Sequence, residues 1–472
     1  MGEVKDKKLG LFALIAMVVG TMIGGGAFNL ISDMGAQAGG LAIIIGWLIT
    51  GIGMIALGLS FQNLTNVRPD LDGGIYSYAQ AGFGDYMGFN SAWGYWFSAL
   101  LGNVAYGTLL MTAVGHFLPM FKGGSNVPSI IVASLLLWSV FLLISRGVKN
   151  ATIINMIVTV AKMIPLFLFL VVMVIAFNFD TFMTGFYGMT EHGPKEFDIH
   201  DVMVQVKSTM LVTVWVFLGI EGAVIFSSRA KRRSDVGKAT IIGLISVLII
   251  YMMITILSQG IIIQNQISEL SNPSMAEVMG HVVGKWGAAV INIGLIISVM
   301  GAWLGWSLLA AEVPYLAAKD DIFPAWFGKD NDNHAPVNSM LMTSLIVQLF
   351  FFTLLFTDKA YNFAFSLASS AALLPYAFSA FYQLKFSRQR SRKQMLIGSV
   401  ASVYTIWLIY AAGLEYLLLT MILYFPGIFV YRHVQKLHGR SITKIDKILF
   451  GIITSLALIG IYFIIKGQIS GF

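Results

Sequence analysis

Residues Gly20-Thr21-Met22-Ile23-Gly24-Gly25-Gly26 lie in the middle of the first apolar segment of the chain, which runs from about residue 9 to residue 30. Each glycine destabilises a helix interior by up to ~1 kcal/mol relative to alanine. Within lipid, a loosened backbone is tolerated only where protein or a water-filled cavity satisfies its polar groups. A break here would leave carbonyls free before it and N–H groups free after it, which suit an ammonium and a carboxylate respectively. The stretch therefore predicts either a broken transporter helix at the membrane midplane or close helix packing through small residues.

The composition of the chain indicates an integral membrane protein. Of its 472 residues, 57% are hydrophobic and only 11% are charged, and the mean hydropathy is +0.79. Apolar runs recur along the whole sequence, which leaves no room for a soluble domain of ordinary size. The first run lacks a small-residue cleavage site, so we expect it to be retained as part of the transport core. The absence of cysteine excludes a disulfide framework, a thiol nucleophile and thiolate metal ligands.

Thirteen apolar segments are long enough to cross a bilayer. Most of the 30 Lys and Arg residues fall at the N-terminus and in the even-numbered connections between these segments. This positive-inside bias predicts a cytoplasmic N-terminus and explains the net charge of +7 without a nucleic-acid partner. The predicted segments are residues 10–32, 41–63, 85–118, 127–145, 151–176, 202–228, 238–264, 286–317, 336–356, 361–384, 395–412, 415–431 and 446–466.

A weak internal repeat relates two halves of the chain. The sequence IGGGAF of the first segment resembles IEGAVIF of the sixth, and the fifth and tenth segments carry Pro165 and Pro375. Five segments separate the members of each pair, so the two halves would have opposite orientations in the membrane. Paired helix breaks in inverted halves indicate a transporter's binding site. We therefore expect a first repeat over residues 1–200 with its break at 20–26, a second repeat over 201–386 with its break at 215–222, and peripheral helices over 387–472.

Three ionisable side chains lie within apolar segments, where a charge costs ~2.5–3.5 kcal/mol by insertion scales and is functional by default. Glu221 lies between Gly219 and Gly222 in the sixth segment, and its alternative role is that of a structural acid hydrogen-bonded to a neighbouring helix. Lys162 lies about eleven residues, or ~16 Å, inside its segment, which is too deep for snorkelling to explain easily. Glu312 lies nearer the end of its segment, so a solvated edge position is equally consistent with the sequence.

Trp215 and Trp306 also lie away from the membrane interfaces where tryptophan normally collects. A deep tryptophan beside a helix break can close over a cation through its ring face, and ordinary core packing is the alternative. The sequence contains no HExxH motif and no helix-borne aspartate pair, so we expect neither an enzyme nor a metal or cofactor. It also contains no filter motif of a symmetric channel.

Four motifs in a fixed order carry a family resemblance: GTMIGGGAF, DGGIYSYAQAGFGDYMGF, VWVFLGIEGA and LGWSLLAAEVPYLAAKDDIFP. They resemble the amino acid–polyamine–organocation superfamily. Within it, the chain is most similar to the basic amino acid/polyamine antiporters of the arginine/ornithine branch. The resemblance implies an all-α multi-pass membrane fold, built as the inverted five-plus-five repeat of the leucine-transporter type with two broken helices. Segments one, three, six, eight and ten would surround the substrate, and two or three peripheral C-terminal helices would follow.

The resemblance also implies roles for particular residues. Backbone N–H groups at the first break would bind the substrate carboxylate, and carbonyls at both breaks would bind its α-ammonium. An asparagine and two hydroxyl groups would meet the far end of a long cationic side chain. The implied substrate-binding residues are Thr21, Met22, Gly24, Gly25, Gly26, Asn103, Tyr106, Trp215, Leu218, Trp306 and Ser366. The implied gating residues are Tyr95, Trp215 and Trp306, and the implied coupling residues are Lys162, in place of a sodium ion, Glu221 and Glu312.

The predicted function is exchange of a cationic amino acid for its metabolic product by alternating access, with arginine and ornithine as the preferred pair. The alternatives are an exchanger of an amino acid and its decarboxylation product, such as histidine/histamine or agmatine/putrescine, and a proton-coupled amino-acid importer on the same fold. The expected partners are small amino acids and amines and the lipid bilayer, and a homodimer is the candidate assembly. The expected location is the plasma membrane of a bacterium.

Overall fold

A computed structural model describes residues 10–71, 73–146, 151–221, 231–333, 335–356 and 360–469. Nearly all regular structure in these ranges is helical. This is expected in lipid, which offers no hydrogen-bond partners, because a helix pairs its backbone groups within its own segment. The strands β1 (Met189–Thr190) and β2 (Gly193–Pro194) form one short antiparallel hairpin. The helices are α1 (Leu11–Met22), α2 (Gly26–Gly35), α3 (Gly40–Val67), α4 (Ile75–Phe83), α5 (Asp85–Gly115), α6 (Val127–Ser145), α7 (Ala151–Ala176), α8 (Phe179–Thr184), α9 (Ile199–Phe217), α10 (Arg233–Gln259), α11 (Gln264–Ile267), α12 (Ser274–Val283), α13 (Lys285–Lys319), α14 (Val337–Thr353), α15 (Ala360–Ser387), α16 (Arg392–Leu437) and α17 (Lys444–Ile465).

The predicted all-α multi-pass fold is confirmed. Among the described residues, ten helices are long and apolar enough to span a membrane, or eleven when α1 and α2 count as one bent span. Helix α16 has 46 residues and a non-helical backbone at Gly413, with φ 80° and ψ 163°. At 1.5 Å per residue it is about twice as long as the ~30 Å hydrocarbon core, so it makes two crossings. The sixth predicted segment is described only as far as Glu221, because residues 222–230 lie outside the described ranges.

Successive spans alternate in direction, which gives the molecule two distinct faces. We call the side where α3, α13 and α15 end the basic face, and the side where α2 and α5 end the hairpin face, because it carries the β1–β2 hairpin and α12. The basic face carries Arg68, Lys319, Lys385, Arg388, Arg390, Arg392, Lys393 and Arg440.

Burial separates central helices from peripheral ones. In the apolar windows of α5 and α15, 89% of the residues are buried inside the protein, against 11% for α17. Helix α15 packs against α5 and α16, while α13 packs against α5 and α7, and α1 against α10 and α7. The broken first helix is thus enclosed by other helices, which is the condition for irregular backbone at membrane depth.

Candidate functional site

The first helix break occurs where the glycine stretch predicts it. Helix α1 ends at Met22, α2 begins at Gly26, and their axes differ by 47°. The Lys162 ammonium of α7, which is 1% exposed, donates hydrogen bonds to the Gly20 carbonyl at 2.6 Å and to the Ile23 carbonyl. An ammonium therefore caps the carbonyl end of α1, where the helix dipole also favours positive charge.

The second predicted break falls at the end of α9, and residues 222–230 beyond it lie outside the described ranges. The chain leaves the helix at Leu218, and Gly219 has φ +103°, a conformation that side chains with a Cβ rarely adopt. The carboxylate of Glu221 accepts hydrogen bonds from the Gly219 N–H at 3.1 Å, from the Tyr95 hydroxyl, and from the Tyr376 hydroxyl at 2.8 Å. The buried carboxylate thus joins the second break to α5 and α15.

Two side chains tie the breaks to each other. The Tyr251 hydroxyl of α10 lies 2.9 Å from the Met22 carbonyl and 3.3 Å from the Val216 carbonyl. The Thr21 hydroxyl lies 3.3 Å from the Gly219 carbonyl. The break after α1 and the end of α9 are therefore held face to face inside the protein.

A narrow cavity of about 10 Å³, roughly the space that one water molecule needs, lies between the two breaks. Its wall combines exposed backbone at both breaks with three aromatic side chains. The first N–H groups of a helix generally lack partners within that helix, and such groups can bind an anion. The cavity is lined by Met22, Gly24, Gly26, Gly102, Tyr106, Trp215, Val216, Leu218 and Trp306.

Aromatic side chains close the cavity toward the hairpin face. The Trp215 indole packs against Gly26, where a Cβ atom would lie 2.6 Å from Nε1. Its N–H donates to the Tyr361 hydroxyl at 3.2 Å, and its ring centroid lies 6.1 Å from that of Phe365. We call Trp215, Tyr361 and Phe365 the aromatic barrier.

A vestibule of about 50 Å³ extends from the α3–α4 loop at the basic face inward to Tyr95 and Glu221. At its mouth, the Tyr76 hydroxyl donates to the Asp320 carboxylate at 2.8 Å. The same loop is held by Arg68, whose hydrogen bond lowers the pKa of the Asp70 carboxyl below its ordinary value.

Other predicted residues lie around this cavity rather than in its wall. Thr21 and Gly25 adjoin the wall at the first break. Glu312 lies on α13 beside Val313, which lines the vestibule. Ser366 is buried on α15, where its hydroxyl pairs with that of Tyr416.

Asn103 lines a separate cavity between α5, α6, α13 and α14, together with Ser307. Its Oδ1 atom is buried and has no hydrogen-bond partner among the described residues. Gly102 and Trp306, the chain neighbours of Asn103 and Ser307, line the central cavity, so the backbones of α5 and α13 separate the two cavities.

Four residues near the two breaks were not predicted from the sequence: Tyr251, Tyr361, Tyr376 and Asp33. Tyrosine is common in membrane helices, so its hydroxyl gives no local signal at membrane depth. A signal existed for Tyr376, which directly follows the predicted mid-helix Pro375, and for Asp33, an ionisable residue one position beyond the first predicted segment.

A broken first helix that faces the end of α9, with a cavity lined by backbone and aromatic rings between them, is typical of a membrane transporter of small molecules. The chain belongs to the amino acid permease family, whose profile matches residues 9–454. This establishes a transporter rather than an enzyme.

The chain is similar to curated bacterial relatives over nearly its full length. It is 46% identical to the arginine/ornithine antiporter of Pseudomonas aeruginosa and 44% identical to that of Latilactobacillus sakei, in each case over 99% of both chains. It is 41% identical to the arginine/agmatine antiporter of Chlamydia caviae, over 97% of this chain and 96% of the relative.

Proposed function

We propose that the chain is an antiporter that exchanges arginine for ornithine by alternating access. The names of the Pseudomonas aeruginosa and Latilactobacillus sakei relatives support this substrate pair. The observation that carries the proposal is the central cavity, in which the start of α2 and the ring of Trp306 face one small space. A cationic amino acid needs both features, because the helix start binds its carboxylate and the ring face binds its charged side chain.

The two breaks would hold the amino-acid end of the substrate. The N–H groups of Gly25 and Gly26 would donate to the carboxylate. The α-ammonium would donate to carbonyls near Met22, Trp215 and Leu218, each of which has two lone pairs. The Met22 carbonyl already accepts hydrogen bonds from the Tyr251 hydroxyl and from the Gly24 N–H, so the α-ammonium would have to replace one of these two donors.

The aromatic wall would hold the side chain of the substrate. Trp306 would contact the cationic group, and Tyr106 would line the same end of the cavity. Asn103 and Ser366 would join these contacts only after the wall rearranges, because neither lines the cavity in this conformation.

The conformation supports a transport cycle with two gates. The aromatic barrier separates the cavity from the hairpin face, with Trp215 as its lid. The hydrogen bonds of Glu221 to Tyr95 and Tyr376 lie between the cavity and the vestibule. Protonation of Glu221 would weaken both bonds, so this carboxylate is the coupling group that we propose, and Glu312 lies further toward the basic face.

Lys162 would act in place of a bound sodium ion. Its ammonium holds two carbonyls of the first break, which a sodium ion could otherwise coordinate. A fixed internal cation would make transport independent of external sodium.

The proposal includes orientation and assembly. We place the basic face and the N-terminus in the cytoplasm, because basic loops are retained there. Residues 1–200 and 201–386 would form the two inverted repeats. Residues 387–472 would lie at the periphery, in contact with lipid or with a second copy in a homodimer of the plasma membrane.

Arginine/agmatine exchange is the second candidate, and the Chlamydia caviae relative favours it by name. The two candidates differ in charge balance. Arginine and ornithine each carry one net positive charge at neutral pH, whereas agmatine lacks the carboxylate and carries one more. Moving one elementary charge across 100 mV is worth ~2.3 kcal/mol, so only arginine/agmatine exchange should respond strongly to voltage.

The test is counterflow in proteoliposomes with a potassium-diffusion potential set at zero or at about −100 mV. We expect arginine uptake that requires internal ornithine and does not depend on voltage. Voltage-dependent exchange with agmatine, without ornithine exchange, would establish the second candidate instead. Uptake without any internal substrate would indicate a proton-coupled importer.

A further inference from the structure

A second buried carboxylate lies on the hairpin-face side of the cavity. Asp33 is seven residues beyond Gly26 on α2, or about 10 Å along the helix axis. Its side chain is buried, with an exposed fraction of 5%. The roles proposed above for the first break do not use this residue.

Asp33 belongs to a hydrogen-bonded network that crosses the aromatic barrier. Its Oδ1 accepts from the Asn29 amide at 2.7 Å, and its Oδ2 lies 3.4 Å from the Tyr361 hydroxyl. The hydroxyl of Tyr361 in turn accepts from Trp215, the lid over the cavity. The network therefore runs from Asp33 directly to the residue that must move when the cavity opens.

The network also reaches the connection between α10 and α13. The side-chain Oδ1 of Asn29 accepts from the Ser274 N–H at the start of α12, at 3.1 Å. The Ser274 hydroxyl accepts from the Ser32 N–H, also at 3.1 Å. Helices α2, α12 and α15 thus meet at Asp33 on the hairpin-face side of the lid.

The hydrogen bonds of Asp33 are too few for a buried charge. An ionised carboxylate has about four acceptor sites, and here one short bond and one long bond use two of them. Both donors are neutral, and no basic side chain in the described ranges forms an ion pair with Asp33. Buried carboxylates are normally paired with a cation, because an unpaired charge in a low dielectric is costly.

We propose that Asp33 forms a transient binding site for the cationic side-chain group of a substrate that arrives from the hairpin face. This inference rests on the proposed exchange of cationic amino acids. A guanidinium or ammonium group supplies the positive partner that the described residues lack, through charge-assisted hydrogen bonds. The cation competes with Tyr361 for the carboxylate, and a released Tyr361 is free to move together with the Trp215 lid that donates to it.

The site has a directional consequence. A substrate that arrives through the vestibule at the basic face reaches the cavity before it reaches Asp33. Loss of the Asp33 charge should therefore weaken apparent binding from the hairpin face and leave binding from the basic face unchanged. A purely structural acid would affect both sides together.

The test compares D33N with D201N in proteoliposomes. The D201N control removes a carboxylate at the same face that pairs with Lys195 at 2.9 Å, away from the barrier. Because the chain has no cysteine, E191C in the exposed hairpin loop can report orientation by labelling without background. The KM for arginine is measured on each side in turn, with saturating ornithine on the other.

We expect D33N to raise the KM from the hairpin face by about tenfold or more, the scale of a lost hydrogen bond to a charged group. The KM from the basic face, and both values for D201N, should match wild type. An equal rise on both sides, or no rise, would overturn the proposal.

If D33N does not insert into the membrane, D33E takes its place, because it shifts the carboxyl group by one methylene. The same rise in the KM from the hairpin face alone is expected. The wild-type measurement tests the proposed function separately. If wild type exchanges arginine only for agmatine, the two-sided comparison is made with that pair, and the prediction for Asp33 is unchanged.

Discussion

The backbone groups left unpaired at the two helix breaks are bound by side chains of opposite charge. At the first break, a cation from another helix, Lys162, caps the carbonyls at the end of α1. At the second, an anion from within the break itself, Glu221, accepts the N–H of Gly219. Each break is thus stabilised by a charge that belongs to the protein.

The breaks also use glycine for different reasons. Gly25 has φ −66° and ψ −32°, an ordinary helical conformation, so its lack of a side chain matters for space. A Cβ there would lie 2.8 Å from Leu109 Cδ2 and 3.1 Å from Val299 Cγ2. Gly219 has φ +103°, so there the backbone itself requires glycine. The first break therefore requires glycine for close packing, and the second requires it for its backbone conformation.

Removal of the cation at the first break should have the largest effect. K162A would leave two buried carbonyls without their charged donor, and a hydrogen bond to a charged group is worth ~1.5–3 kcal/mol. We expect loss of exchange and a lower melting temperature in detergent. Wild-type exchange should be equal in sodium and in choline. The matched control is K207A, because Lys207 lies over the Tyr410 ring, 4.5 Å from its centroid, and away from both breaks. Full activity of K162A, or a sodium requirement in wild type, would contradict the proposed cap.

The space requirement at the first break predicts the next largest effect. G25V should abolish arginine binding, because the side chain would clash with Leu109 and Val299 and displace the N–H groups at the start of α2. G305V is the control, since a Cβ at Gly305 on α13 would meet no atom within 4 Å. Scintillation proximity binding on purified protein measures both variants. Wild-type affinity in G25V would show that the substrate does not bind at this break.

Trp306 should contribute a smaller, measurable part of the affinity. A desolvated cation–π contact is worth ~2 kcal/mol or more, so W306L should bind arginine roughly thirtyfold more weakly. W303L is the control, because Trp303 lies about one turn away and packs against Phe351, with ring centroids 6.3 Å apart. If the two variants bind arginine equally well, Trp306 is a packing residue only.

The sequence predicted the features that depend on local composition. Apolar length predicted the spans, and the glycine run placed the break between Met22 and Gly26. Lys162 and Glu221 were conspicuous because a charge inside an apolar segment is visible without knowledge of its partner. The comparisons confirm the family and the transporter class.

The remaining features depend on which helices meet. Tyr251 and Tyr376 bind groups at the two breaks from distant parts of the chain, and no local pattern marks such tyrosines. The role of Asn103 was implied by resemblance, yet its side chain faces a neighbouring cavity. Packing decides which way a side chain on a fully buried helix points, and the sequence of α5 is apolar on all sides. The roles of the cavity residues remain predictions.

The smallest predicted effect concerns Thr21, which touches both breaks. Its hydroxyl has one proton to donate, and the Val18 carbonyl at 2.9 Å competes for it with the Gly219 carbonyl at 3.3 Å. The bond between the breaks therefore forms only part of the time, and T21V should lower the exchange rate by about two- to threefold, the low end of a neutral hydrogen bond. T21S keeps the hydroxyl and should match wild type, so the pair separates the bond from the shape of the side chain. If T21V loses exchange as fully as K162A, the two breaks depend on each other through Thr21. Stabilisation of each break by its own charge, Lys162 or Glu221, would then not be sufficient.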